Sequence, residues 1–291
     1  MAFNPNAVFI SPSSIADFDK CPQLYYFRNV YRSPRGLKIQ IINPNLALGQ
    51  AVHDTLEIFV RLPVPERTKE SLLEKFNFIW SNLSGEKGGY SSPDEEKAFK
   101  ERGLAMLERF WKNEHFKIAN LHPIPSFPKA ELGNDLILTG KLDFLEKDEQ
   151  GLHLIDFKTG KNEESEDSLQ LPIYAVLVSE LFKGIPVRAS YWYLDSSSEI
   201  VDFTLPDLKE TKEKLKQKGE IIKMTRQTQS FRCQSGGESC WACRDILAVA
   251  QGKGKLVTMD PVNRKQEIYI LPKTVESGVL EKPAMADDLP F

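Results

Sequence analysis

Apolar residues recur at helical spacing through roughly the first 120 residues and switch to strand-like runs after Pro128. Residues 11–32 read as a helix with Ser11 or Ser13 as its cap. In 46–60, LALGQAVHDTLEIFV, the residues Leu48, Val52, Leu56 and Phe59 form one apolar stripe of a second helix. A mostly helical block continues to about residue 118. Within it, Ser92-Pro93-Asp94-Glu95 opens a helix that runs through Phe99, Leu104, Leu107 and Phe110, with proline at the first helical position. Strands are predicted at about 129–146, 151–158, 186–195 and 198–204. A helix beginning near Ser168, with Pro172 close to its start, separates the second from the third. Another helix covers about 206–224, and a late strand near 265–271 would join a sheet edge. Residues 272–291, with scattered Pro, Gly, Glu and Asp, read as a disordered acidic tail. The expected architecture is one α/β domain over 1–271: a central mixed sheet flanked by helices, with a helical insertion at about 61–120.

Composition adds little to this picture. The 291 residues are 41% hydrophobic and 27% charged, ordinary for a soluble globular protein. No apolar run approaches the about 20 residues a membrane span needs, and the first residues lack the basic and apolar regions of a signal peptide. A cytoplasmic protein without a membrane partner is expected. A net charge of −3 argues against nucleic-acid binding by the molecule as a whole. Locally, however, Lys20, Arg28, Arg32, Arg35 and Lys38 lie among Tyr25, Tyr26, Phe27 and Tyr31, which makes Arg28 and Arg32 candidate backbone contacts. The basic run from Lys209 to Arg226 is interleaved with glutamates and reads as a solvated helix face.

The densest chemistry lies in 136–161, LILTGKLDFLEKDEQGLHLIDFKTGK. Asp143 and Asp156 fall on neighbouring strands. Lys158, two residues beyond Asp156, points to the same face. A carboxylate and an ammonium among Leu154, Ile155 and Phe157 are costly to bury without a counter-charge, and a divalent cation with phosphate would supply it. Asp143, Asp156 and the backbone carbonyl of Phe157 are candidate ligands for Mg²⁺ or Mn²⁺. Lys158 would position water and stabilise charge on a phosphate. Alone, the aspartate–lysine pair also reads as a surface ion pair on an edge strand.

Four segments in order narrow the reading: Gly49-x-x-x-His53, Gly140-Lys-Leu-Asp143, Ile155-Asp156-Phe-Lys158-Thr-Gly160, and Gln170 with Tyr174 in QLPIY. Together they resemble the PD-(D/E)XK nucleases, and within them the RecB-like branch, similar to CRISPR-associated adaptation exonucleases and helicase–nuclease nuclease domains. The resemblance implies a restriction-endonuclease-like fold and His53 as a metal ligand. It also implies that Gln170 and Tyr174 contact DNA or support Lys158; four residues apart, they share a helix face. Glu131 is a further candidate acid. The activity implied is metal-dependent DNA hydrolysis, exonucleolytic on single-stranded ends, in repair, recombination or CRISPR adaptation. A non-cleaving DNA-binding subunit and a structure- or sequence-specific endonuclease are the alternatives.

The four cysteines, Cys21 and then Cys233, Cys240 and Cys243, include a Cys-x-x-Cys pair that suits metal better than a disulfide in a cytosolic chain. Binding one group would clip together the ends of a very long loop. The same resemblance implies a 4Fe–4S iron–sulfur cluster, one cysteine before the nuclease core and three after it. Here the close pair comes last in the trailing trio, where the commoner order puts it before the final cysteine, and zinc stays open as the alternative. Finally, Asp287-Asp288-Leu289-Pro290-Phe291 resembles the acidic tip of bacterial single-stranded-DNA-binding proteins. It implies docking to the DNA-repair proteins that bind such tails.

Overall fold

The computed structural model describes residues 7–165 and 168–272. The chain opens with β1 (Val8–Ile10) and α1 (Pro12–Lys20). Ser11 caps α1, its hydroxyl accepting from the Ser14 amide at 3.2 Å, and Pro12 takes the first helical position. The single helix expected over 11–32 is broken. Cys21 is extended, at φ −171°, because Pro22 disfavours helical geometry in the residue before it. α2 (Pro22–Tyr25) restarts beyond the break and runs into a wide helical turn, Tyr26–Val30.

After β2 (Lys38–Ile41), α3 (Pro44–Val60) is capped by Asn43 and buries Leu48, Val52, Leu56 and Phe59, the stripe expected of it. The block up to residue 118 resolves into α4 (Lys69–Ser81), α5 (Pro93–Trp111) and α6 (Glu114–Ile118). Ser92 caps α5 by accepting from the Glu95 amide.

The strand expected at 129–146 is three strands: β3 (Lys129–Gly133), β4 (Leu136–Thr139) and β5 (Phe144–Asp148). Asn134 and Asp135, both at positive φ, turn β3 back onto β4. β6 (Gly151–Lys158) matches the expected strand at both ends. α7 (Gln170–Leu181), β7 (Val187–Tyr193), β8 (Ile200–Phe203), α8 (Leu208–Thr228), α9 (Arg244–Ala250), β9 (Lys255–Asp260) and β10 (Gln266–Ile270) follow. Pro172 sits in the first turn of α7, where its missing N–H has no helical partner to lose.

These strands form three sheets, ordered β5-β6-β7-β8, β1-β4-β3 and β2-β10-β9. The first is the expected mixed sheet: β6 and β7 are parallel across the α7 crossover, and β5 and β8 are antiparallel at the edges. The late strand is not an edge. β10 lies between β2 and β9, two short strands whose periodicity is too brief to stand out in the sequence.

Both faces of the mixed sheet are covered, which is why β6 reads as a continuous apolar run. Ile155, Phe157 and Trp192 pack against the α3–α6 helices, whereas Leu152, Leu154, Tyr191 and Tyr193 pack with Leu171, Tyr174 and Val178 of α7. Among the described residues no helix is long and apolar enough to cross a membrane.

Candidate active site

Asp156 and Lys158 lie on the α7 face at the end of β6, and Asp143 immediately precedes the antiparallel partner β5. Asp143 Oδ2 accepts from the Phe157 amide at 3.0 Å, so the peptide expected to supply a carbonyl ligand is held in the site by its N–H. From α3, His53 Nδ1 comes within 3.0 Å of Asp143 Oδ1. From the first and second turns of α7 come Gln170 and Tyr174. Gln170 bridges the other two groups: its Nε2 donates to Asp156 Oδ1 at 2.9 Å, and its Oε1 accepts from Lys158 Nζ at 2.5 Å. Lys158 Nζ is also 3.0 Å from Asp156 Oδ2 and 5.0 Å above the Tyr191 ring. Six residues from four separate sequence segments thus converge.

Two glycines of the recognised segments admit this packing. A Cβ on Gly49 would meet Thr159 Oγ1 at 3.1 Å, so glycine lets α3 press against the turn after Lys158 and carry His53 inward one turn later. A Cβ on Gly140 would lie 2.6 Å from the Tyr174 ring. Arg102 of α5 locks the same turn from behind. It grips Asp195 with Nε at 2.8 Å and Nη2 at 2.7 Å and donates to the Thr159 carbonyl.

The electrostatics are those of a site short of positive charge. Burial, and then the neighbouring Asp143 carboxylate, push Asp156 from 3.8 up to about 7, against the opposing pull of Lys158 and His53. Burial works against the Lys158 ammonium, but Asp156 and Glu164 outweigh it and hold Lys158 above its ordinary value. For His53, too, burial opposes the charge and Asp143 overcomes it, raising the imidazole. A divalent cation suits this donor set of two carboxylates and an imidazole. Even so, His53, Asp143 and Asp156 do not form a ready cage. Among the described residues, the four cysteines are the one group of three or more such side chains whose ligand atoms all lie within 4.8 Å of each other. Asp156 gives one oxygen to Gln170 and the other to Lys158, so an ion would share its remaining lone pairs with these contacts.

No motif in the sequence singles out Glu164. It lies on the loop after β6, bonds Lys158 Nζ at 3.0 Å and is anchored by its amide to Tyr193 Oη. Only its position six residues past Lys158 could have suggested it. Glu131 is exposed on β3, in a different sheet, and among the described residues no hydrogen bond or ion pair joins it to Asp143 or Asp156. Arg28 is paired with Asp17 at 2.8 Å, and Arg32 donates to the carbonyls of Asn29, Val30 and Tyr31. Residues 287–291 lie outside the described residues.

The cysteines form a second centre. Cys21, left at the α1–α2 break by Pro22, meets Cys233, Cys240 and Cys243, with all four sulfurs within 4.8 Å of one another. Ile246, Val249, Leu24, Phe27 and Ile39 surround them, so the cage joins the N-terminal turn, β2 and α9 in one small core. Burial pushes the Cys21 and Cys243 thiols up; burial also opposes the Cys233 thiolate, but hydrogen bonds from the Gly237 and Ser235 amides and from Cys240 and Cys243 together outweigh it and bring Cys233 down to about 7. Four buried or half-buried sulfurs converging without a disulfide fit a metal centre.

A search of the curated proteins found no match to this chain. A family model does match, that of the PD-(D/E)XK nuclease superfamily, over residues 10–244. The match spans α1 to the start of α9, and so includes every element that contributes to the carboxylate site and all four cysteines. This chain belongs to the PD-(D/E)XK nuclease superfamily.

Proposed function

We propose that the chain is a metal-dependent deoxyribonuclease of the RecB-like branch, acting as an exonuclease on single-stranded DNA ends. The observation that carries this reading is the convergence at one end of β6 of the buried Asp156, with Lys158 Nζ at 3.0 Å, and of Asp143, with His53 at 3.0 Å. Asp143, Asp156, His53 and the Phe157 carbonyl would hold Mg²⁺ or Mn²⁺, which supplies Lewis-acid stabilisation of the phosphate and a more acidic bound water. Lys158, kept protonated by its two carboxylate neighbours, serves as a hydrogen-bond donor to phosphate and water and not as a base. Gln170 positions Lys158 and Asp156 relative to each other, and Tyr174 closes the site against Gly140.

Labelled single- and double-stranded DNA incubated with Mg²⁺ or Mn²⁺ tests this. Progressive shortening from an end, abolished in Lys158→Ala with the fold intact, is the expected result. Wild-type rates in that variant would refute the assignment. Discrete fragments from a plasmid would mark an endonuclease, and binding without any cleavage a DNA-holding subunit.

For the cysteine cage, the resemblance points to a 4Fe–4S cluster and the spacing to a single zinc ion. Tetrahedral thiolates around one zinc stand about 3.8 Å apart, and the sulfurs here lie within 4.8 Å. A four-iron cube would spread them wider. Brown, iron-containing protein after anaerobic purification assigns the cluster; colourless, zinc-containing protein assigns the ion. The tail Asp287–Phe291 is proposed to dock onto repair proteins that take single-stranded-DNA-binding-protein tails. Binding that survives its deletion would remove that role.

A further inference from the structure

Lys158 has no hydrogen left over for a substrate. Its ammonium carries three N–H donors, and among the described residues three acceptors meet them: Gln170 Oε1 at 2.5 Å, Asp156 Oδ2 at 3.0 Å and Glu164 Oε1 at 3.0 Å. The Tyr191 ring covers a further side. Before Lys158 can donate to a phosphate or to an attacking water, one of these acceptors must withdraw.

The three differ in what withdrawal costs. Asp156 is 3% exposed, and losing Lys158 would strip a buried carboxylate of its cation. Gln170 is fixed from its other end, where Nε2 donates to Asp156 in the first turn of α7. Glu164 stands apart. Its side chain is 36% exposed, on the loop between β6 and α7, so its carboxylate returns to water when it lets go. Its backbone need not move, because the Glu164 amide is held separately by the Tyr193 hydroxyl at 3.2 Å. Tyr193 is a buried residue at the end of β7.

An anionic oxygen that reaches the ammonium from solvent, on an anchored loop, has the charge and the contact distance of a phosphate oxygen bound to Lys158. We propose that Glu164 is a placeholder for the substrate phosphate: its carboxylate orients the Lys158 ammonium in the free protein, and a phosphate oxygen of the DNA strand displaces it on binding. The exchange replaces one charge-assisted hydrogen bond by another and leaves Asp156 and Gln170 where they are. The proposal rests on the nuclease reading for the identity of the phosphate. Its consequence runs opposite to that of a brace: a tethered carboxylate that competes with DNA weakens binding, so its removal should improve the protein at low DNA concentration.

Glu164→Gln keeps the size of the side chain and removes its charge; Glu164→Ala removes both. Each is compared with the full-length wild-type protein in two assays. One is cleavage of a labelled single-stranded oligonucleotide with Mg²⁺ or Mn²⁺, and the other is titration of a fluorescein-labelled oligothymidylate with Ca²⁺ in its place. Both variants should lower KM and Kd about fivefold, the size of one like-charge contact near a protein surface, and raise kcat/KM by the same factor. The gain should fade as salt is raised, because the repulsion it removes is screened. A loss of kcat/KM in Glu164→Gln, in protein that unfolds at the wild-type temperature, would overturn the proposal and make Glu164 a brace for Lys158 or a third carboxylate on the metal. Unchanged KM and Kd in both variants would overturn it as well. A wild-type protein that binds oligothymidylate yet cuts no substrate would instead refute the nuclease reading, and the Kd comparison would still decide the role of Glu164.

Discussion

Strands β5, β6 and β7 carry polar groups on both faces, and the two faces treat them in opposite ways. On the face away from α7, Glu146, His153 and Ser190 form a sealed chain. His115 and His153 each bond one oxygen of Glu146, His153 Nε2 meets Ser190 Oγ at 2.8 Å, and Ser190 donates to Asp202. By residue type, Ser190, His153 and Glu146 would pass for a hydrolytic triad. Ser190 is 0% exposed and its proton is committed to Asp202, so this set braces the sheet. On the α7 face the residue types are no more reactive, but two carboxylates crowd together and one is forced up to about 7. A satisfied network holds a fold; a charge imbalance built into a buried position points to something that must arrive from outside.

Removing the imbalance should have the largest effect. Asp156→Asn is expected to lower cleavage by about 10³-fold while leaving the unfolding temperature unchanged or raised, as the variant removes a disfavoured buried charge. Equal activity in variant and wild type would erase the contrast between the faces. Glu146→Ala should do the reverse. It leaves His153 and His115 without their shared partner and costs about 3 kcal/mol of stability, measured by denaturant unfolding, while the remaining folded protein cleaves within a few-fold of wild type.

The two faces also predict opposite pH responses. Asp156 is raised above its ordinary 3.8, so its contribution is fully present below about pH 4 and is lost as the pH rises toward about 7. Glu146 is lowered below 4.5: burial pushes it up, but its bond to His153 and the His115 charge outweigh that. Its contribution is present above 4.5 and lost as the pH falls through its folded value. Without added divalent metal, the unfolding temperature should therefore decline from pH 4 to 7. Saturating Mn²⁺ should abolish that decline, and so should Asp156→Asn. A decline of the same size in the variant would reject the attribution. The smallest expected effect is that of Gly49→Ala. Alanine favours the helix by up to about 1 kcal/mol, but its Cβ crowds Thr159 and shifts the turn beside Lys158. Stability should hold or rise slightly as cleavage drops about tenfold; unchanged cleavage would show that the turn tolerates the shift.

Local features were the legible ones. β6 is legible to its ends because its apolar run is bounded by Gly151 and by the turn after Lys158, and α3 because four apolar residues mark one stripe. The break at Cys21 is masked in the sequence although Pro22 signals it, since the apolar pattern continues across the proline. β2 and β9 are not legible because four to six residues of partial burial carry little periodicity.

The sequence by itself determined the family: His53, Asp143, Asp156, Lys158, Gln170, Tyr174 and the four cysteines stand at recognisable spacings. Only the tertiary structure decided what each side chain faces. It brought Glu164 onto Lys158, turned Asp156 toward Gln170, sealed Ser190 behind the sheet, and gathered the four cysteines. The reason is physical. Spacing along a chain sets the face of one helix or strand, whereas burial, counter-charge and solvent access depend on segments up to two hundred residues apart meeting in one packed core.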